Sequence, residues 1–225
     1  MDVIITGATG FIGGAVVRQA IASDIIRHAF ILTRNPLPDD VSNHSKATVI
    51  QHNDFFTYPL ALLEQLAGCE ACIWCVGRHA YQFSNKGTAK MVSVDFPLAA
   101  AAAFMINLTP RLQYSEKFRF VFVSGKYAEW DDEKPLFFMR DTRRMKGAAE
   151  KRLLSLAAMS QSRLEVSIVR GAGIIATRGG WLKSKLARIA GFIAVDDFAY
   201  ELVLISAETG GPEIFEMKEL LQYVN

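Results

Sequence analysis

Short apolar runs alternate along this chain with longer stretches whose apolar residues recur at helical spacing. The runs predict strands at Asp2–Thr6, Ala29–Thr33, Ala47–His52, Ala71–Val76, Arg119–Ser124 and Leu164–Arg170. The helical period predicts helices at Phe11–Ala22, Pro59–Ala67, Met91–Ile106, Arg140–Met159 and Trp181–Ile189, with Asp197–Ile205 and Lys218–Tyr223 closing the chain. Strands that alternate with crossover helices describe an α/β protein with a doubly wound parallel sheet. One segment breaks the alternation: Lys126 to Phe138 separates a strand from a helix and carries Asp131, Asp132, Glu133 and Lys134. It reads as a solvated loop, and a loop at the carboxyl ends of parallel strands also stands where ligands are covered.

At 225 residues the chain suits a single domain with an appendage, so 1–225 is taken as one unit in which about 171–225 forms a small C-terminal, substrate-side portion. A composition of 51% hydrophobic and 21% charged residues supports a packed core and argues against disorder. The 25 basic and 23 acidic residues are scattered, without the concentrated basic face that a phosphate backbone requires, so no nucleic-acid partner is expected. The longest apolar run, around Phe96 to Leu108, is interrupted by Pro97 and Asn107 and falls short of the ~20 residues of a membrane span. No secretory signal precedes the first strand, which makes a cytoplasmic protein without a membrane partner the expectation.

Cys69, Cys72 and Cys75 echo the spacing of iron–sulfur ligands. Their separation of three within a strand would point Cys72 and Cys75 to opposite faces, and no fourth cysteine exists, so buried apolar residues are expected and no metal.

The densest chemistry follows the first strand as Gly7-Ala8-Thr9-Gly10-Phe11-Ile12-Gly13, which opens a helix. In such a turn the first glycine permits the bend, the second lets a pyrophosphate approach the backbone, and the third lets helix and strand pack closely. The phosphates then meet the positive end of the helix and its free N–H groups. Strand, turn, helix and next strand follow at the spacing of a dinucleotide-binding Rossmann fold.

The glycine spacing and its Ala-Thr-Gly-Phe-Ile filling resemble the short-chain dehydrogenase/reductase superfamily, in its extended, nucleoside-diphosphate-sugar-epimerase-like and atypical branches. Val94-Asp95 resembles a pair in the family's fourth helix, and Ile193-Ala194-Val195-Asp196-Asp197-Phe198-Ala199 resembles a segment near the end of extended members. The resemblance implies an NAD(P) site formed by Gly7, Thr9, Gly10, Phe11, Ile12, Gly13, Asp54 near the adenine, Val76, Gly77, Ser124, Lys146 and Gly171. At the end of the second strand, Thr33-Arg34-Asn35 offers no carboxylate for ribose hydroxyls, and Arg34 suits the 2′-phosphate of NADP.

The same resemblance places Lys146 at the family's active-site lysine and Ser124 at its serine. Four residues before the lysine, where active members carry tyrosine, stands Thr142. A threonine hydroxyl does not ionise at useful pH and is limited to donating a hydrogen bond or relaying through water. Tyr127, three residues past Ser124, is the first candidate to replace the tyrosine and Tyr81, in the loop after the fourth strand, the second; His79 and Arg78 in that loop could polarise a carbonyl or simply be solvated. Lys146 equally fits a surface lysine in the basic cluster of Arg140, Arg143, Arg144, Lys151 and Arg152.

Three functions follow. The first is an NADP(H)-dependent reductase of a small, hydrophobic carbonyl or conjugated substrate, acting as monomer or homodimer. Tyr81, Phe83, Trp130, Phe137, Phe138 and Trp181 would suit an apolar substrate and would equally suit a lid. The second is an NADP-binding regulator or interaction protein with little catalysis, supported by the missing tyrosine. The third is a redox-neutral isomerase, dehydratase or cyclase on the same fold.

Overall fold

The computed structural model describes residues 1–112, 117–176 and 192–223. Seven parallel strands form the central sheet in the order β3-β2-β1-β4-β5-β6-β9: β1 (Asp2–Thr6), β2 (His28–Thr33), β3 (Ala47–Gln51), β4 (Ala71–Trp74), β5 (Phe118–Gly125), β6 (Leu164–Gly171) and β9 (Ile214–Glu216). The order reverses direction between β1 and β4, which opens a crevice at the carboxyl ends of those strands where ligands bind in such sheets. A two-stranded parallel pair, β7 (Ile174–Ile175) with β8 (Ile193–Ala194), stands beside the end of β6.

Alternate residues of the buried strands feed two cores. Val3, Ile5, Ile31, Ile73 and Val121 face α1 (Phe11–Ala22) and α7 (Val195–Ala207). Ile4, Leu32, Cys72, Trp74, Phe120 and Phe122 face α3 (Leu60–Gln65), α5 (Phe96–Asn107) and α6 (Arg140–Met159). The strand period of two produces this division, and the two covered faces explain why the central strands read as mostly apolar runs rather than alternating ones. Two short helices, α2 (Asp39–Ser42) and α4 (Lys86–Lys90), and α8 (Met217–Tyr223) are the other α-helices of the described residues.

Six strands were expected in the main sheet and seven are present. Ile214-Phe215-Glu216 is too short for a periodic signal, yet it pairs with β6 from Ile168 to Arg170. The helix expected at Met91–Ile106 begins earlier, at Lys86, and is helical through Arg111 by way of a π-helical turn over Met91–Asp95. Pro97 does not break it, because the proline lies in the first turn of α5, where its missing N–H is no loss. That continuous helix has the length and apolarity of a membrane span, but it packs Val94, Ala100, Ala101 and Phe104 into the core beneath the sheet. Strand β4 ends at Trp74, two residues before its expected end, as the Cys75 N–H turns to the Thr6 hydroxyl at 3.3 Å. The helix expected at Trp181–Ile189 lies outside the described residues, as does Trp181. Cys72 and Cys75 do face opposite cores, and among the described residues no group of acidic, histidine or cysteine side chains has the arrangement of a metal site.

Candidate active site

The glycine turn is shaped by three close approaches, each with a different consequence. Gly7 adopts φ +75°, a conformation glycine takes without strain, and a Cβ there would stand 2.7 Å from the Cys75 carbonyl carbon. A Cβ on Gly13 would lie 2.1 Å from the Gly7 oxygen, so helix and turn touch backbone to backbone. At Gly10 a Cβ would meet only the Gly7 oxygen, at 3.1 Å, and otherwise face outward. The first turn of α1 has no side-chain cap and no acidic residue, which leaves its N–H groups and positive end free for an anion. This cradle fits the pyrophosphate of a nicotinamide dinucleotide. Thr9 and Phe11 are exposed at its edge, and Ile12 forms part of a cavity wall.

Gly10→Val is therefore expected to abolish dinucleotide binding in a protein that remains folded, whereas Gly13→Val is expected not to fold. Circular dichroism with cofactor-induced thermal shift distinguishes the two, and an undiminished shift in folded Gly10→Val would remove the pyrophosphate from this turn.

Beside the turn lies a cavity of about 460 Å³. Ile12, Cys75, Gly77 and His79 border it on one side, Val123 to Ala128 and Gly171 to Ile174 on another, and Phe138, Met139, Thr142, Arg143 and Lys146 from the loop and α6 on a third. Of the residues expected at a site, the fold brings Ile12, Gly77, Ser124, Tyr127, Thr142, Lys146 and Gly171 together here. Arg34 and Asp54 do not border this cavity and stand after the ends of β2 and β3. Arg34 is exposed, and Thr33 and Asn35 close a small turn around it through the Thr33 hydroxyl. The Asp54 carboxylate accepts the Phe56 N–H at 2.9 Å and the Thr57 hydroxyl at 2.8 Å, bonds that hold its carboxyl below the usual carboxylate range. Val76 packs against the core under the sheet and does not border the cavity.

Lys146 reaches back along α6 to β5. Its amine donates to the Val123 carbonyl at 2.8 Å, lies 4.7 Å above the Phe122 ring, and would be 3.3 Å from a Cβ on Gly77. Burial in this wall lowers the ammonium to about 8, with Glu150 and then Cys75 opposing that shift. Nearby, burial pushes the Cys75 thiol up to about 12 despite the lysine, which leaves it inert as a nucleophile near neutral pH.

The two hydroxyls beside Lys146 already have partners. Thr142 accepts the Ala80 N–H at 2.7 Å, which ties the loop after β4 to α6. Ser124 donates to Glu150 Oε1 at 2.5 Å, so its proton points into the protein. Tyr127 is half exposed and meets Phe138 edge to face at 5.5 Å. Arg143 braces that pair, with its Nε donating to the Tyr127 carbonyl at 2.8 Å and its guanidinium 4.7 Å over the Phe138 ring. His79 and Tyr81 stack in the loop after β4, with ring centroids 5.3 Å apart.

Sequence reasoning gave no role to Glu150 or Arg170. Glu150 is fully buried and accepts four hydrogen bonds: Ser124 Oγ and Arg170 Nε (3.1 Å) at Oε1, Trp130 Nε1 (2.6 Å) and Arg170 Nη2 (2.6 Å) at Oε2. Its position four residues after Lys146, on the same face of α6, was the available signal. Gly147 was given no role either: a Cβ there would lie 1.9 Å from the Glu129 oxygen, because α6 lies directly on the backbone of the loop that rims the cavity.

Comparison with known proteins places the chain in a family. The sequence profile of a family described as NAD(P)H-binding matches residues 7–185, and the chain belongs to that family. No curated protein matches it in sequence. Among solved structures it is similar to the dTDP-glucose 4,6-dehydratase DesIV of Streptomyces venezuelae, with NAD and TYD bound, at 16% identity over 99% of this chain and 80% of that one, TM-score 0.70. The UDP-glucose 4-epimerase of Thermotoga maritima aligns at 14% identity over 99% and 81% of the two chains, TM-score 0.67. The reductase domain of PhqB from Penicillium fellutanum aligns at 14% over 96% and 66%, also with TM-score 0.67. The fold is thus the one these solved structures share, and Thr142 stands in α6 four residues before Lys146.

Proposed function

We propose that the protein is an NADP(H)-dependent reductase of a small, apolar carbonyl or conjugated substrate. The observation that carries this reading is the cavity itself: it joins the end of the glycine turn at Ile12 to Lys146, and Tyr127, Phe138, Met139 and Ile174 give it apolar walls. Among the described residues no aspartate or glutamate borders it, so a developing oxyanion there would face no carboxylate. When bound, the nicotinamide supplies the hydride. Lys146 holds the proton for the oxygen that hydride addition makes basic, and an ammonium lowered to about 8 is well matched to giving up a proton near neutral pH. Tyr127 and the backbone at Gly171 to Gly173 position the substrate against that lysine, and Ser124 and Thr142 hold the surrounding walls.

Arg34 supports NADP over NAD in this reading, because it stands exposed after β2 with no carboxylate before Asp39. Arg34→Ala is expected to weaken NADP by about 10- to 100-fold, the loss of one charge-assisted contact, and to leave NAD nearly unchanged. Calorimetric titration of both proteins with both cofactors measures this, and equal losses for the two cofactors would take the phosphate away from Arg34.

The experiment for the function is NADPH oxidation with aromatic aldehydes, quinones and enones at pH 6 to 9, with turnover falling as pH rises through about 8. A regulatory reading has one specific observation in its favour, the prior engagement of the Ser124 and Thr142 hydroxyls by Glu150 and Ala80. Tight NADPH binding without turnover on any of these substrates would favour it.

A further inference from the structure

We propose that Glu150 is the positioning residue of this site, acting through Ser124 and Lys146 while the ligand never touches it. The inference rests on the reading of the cavity as a reductase site and adds the means by which its walls and protons are set.

The geometry converges on one carboxylate. Ser124 and Arg170 near the ends of β5 and β6, and Trp130 belongs to the loop that rims the cavity; all three donate to Glu150 on α6. Three of the segments around the cavity are therefore held by a group with 0% exposure. Arg170 is held in turn by Glu216 at 2.9 Å, which ties the assembly to β9. Burying a carboxylate is costly unless hydrogen bonds use its lone pairs, and the four bonds here supply them.

Two consequences reach the cavity. A serine that donates to a carboxylate at 2.5 Å has no proton left for a ligand, so Ser124 presents only lone pairs to the cavity and accepts a donor, never a carbonyl oxygen. The negative charge of Glu150 also lies one helical turn from Lys146 and favours its ammonium. Among the described residues the charged and titratable groups that face Lys146 are Glu150 from its own helix and Cys75 after β4; Arg170 on β6 meets the same carboxylate. Cys75 is neutral near pH 8, since its thiol is pushed up to about 12, which leaves Glu150 as the anion that keeps the lysine protonated in this wall.

The test reads Lys146 directly and needs neither cofactor nor substrate. Full-length protein is treated with trace acetic anhydride across pH 6 to 11, and acetylation of Lys146 is followed by peptide mass spectrometry. In Glu150→Gln the midpoint of labelling is expected to fall by about one pH unit relative to wild type, because an opposite charge nearby is lost. Glu216→Gln removes only the outer ion pair and should leave the midpoint in place. If Glu150→Gln does not fold, Glu150→Asp withdraws the charge by one methylene and should lower the midpoint by a smaller amount. A folded Glu150 variant with the wild-type midpoint, or an equal fall in Glu216→Gln, overturns the proposal. In activity assays with 9,10-phenanthrenequinone, Glu150→Gln should shift the alkaline limb of kcat to lower pH while the NADPH Kd stays within about threefold. A parallel loss of kcat, KM and cofactor affinity with no change in pH profile would make Glu150 structural only. Failure of the reductase reading shows separately, as absence of quinone turnover in the wild type with the labelling shift intact.

Discussion

Gly147→Ala is expected to lower the melting temperature by about 6–12 °C, although it adds one methyl group to a helix. In a helix interior alanine would ordinarily stabilise by up to ~1 kcal/mol relative to glycine. Here the new Cβ would fall 1.9 Å from the Glu129 oxygen and 2.4 Å from its carbonyl carbon, and backbone cannot swing aside as a flexible side chain does. The Glu129 N–H also donates to the Arg143 carbonyl of α6 at 3.0 Å, so loop and helix must separate together and lose that bond. Overpacking of this kind costs about 3 kcal/mol, and each kcal/mol moves the midpoint of a chain this size by about 2–4 °C. The same separation displaces Trp130 from Glu150 and Tyr127 from Arg143, so cavity function should fall with stability. Differential scanning fluorimetry of Gly147→Ala beside Gly125→Ala provides the comparison, since a Cβ at Gly125 meets nothing within 4 Å. Equal melting temperatures for the two variants would show that α6 does not rest on the loop backbone.

This contact illustrates which parts of the molecule were legible in the sequence. The strands were legible because both faces of the sheet are covered, so the middle of each buried strand is mostly apolar, and the glycine turn was legible because its spacing is fixed by local geometry. Lys146 was legible by its register on α6. What escaped notice depends on contacts between segments distant in sequence: Gly147 against Glu129 is a tertiary approach with no local signature, and Arg170 against Glu150 pairs a strand end with a helix 20 residues earlier. Ser124 was placed correctly at the end of β5, but the direction of its hydroxyl is set by a partner 26 residues away. A serine at a strand end reads alike whether its proton faces a ligand or the core. Ile214–Glu216 was missed for another reason: three residues are enough to pair with an existing strand edge and too few to show a period.

Lys146→Met should abolish reductive turnover and at the same time stabilise the protein without cofactor at pH 7. The loss of the acid is expected to cost about 10²- to 10⁴-fold in kcat. The gain in stability follows from the cost of keeping an ammonium in the wall formed by Phe122, Val123 and Cys75, which lowers Lys146 from its ordinary 10.5 to about 8. Because the folded state releases this proton first, the unfolded chain binds more protons between about pH 8 and 10.5, and wild-type stability contributed by this group rises across that window. Below pH 8 the full cost is present in the wild type and absent in the methionine variant. The difference in melting temperature should therefore favour Lys146→Met at pH 7 and shrink as pH approaches 10. Loss of the hydrogen bond to the Val123 carbonyl offsets part of the gain and does so at every pH, which separates it from the titrating part. Thermal melts of both proteins at half-unit steps from pH 6.5 to 10.5 resolve the two contributions. A gap between them that is constant over this range, or a variant less stable at pH 7 than at pH 10 relative to wild type, would mean that Lys146 is not held in the wall as a strained cation, and its assignment as the proton donor would lose its physical basis.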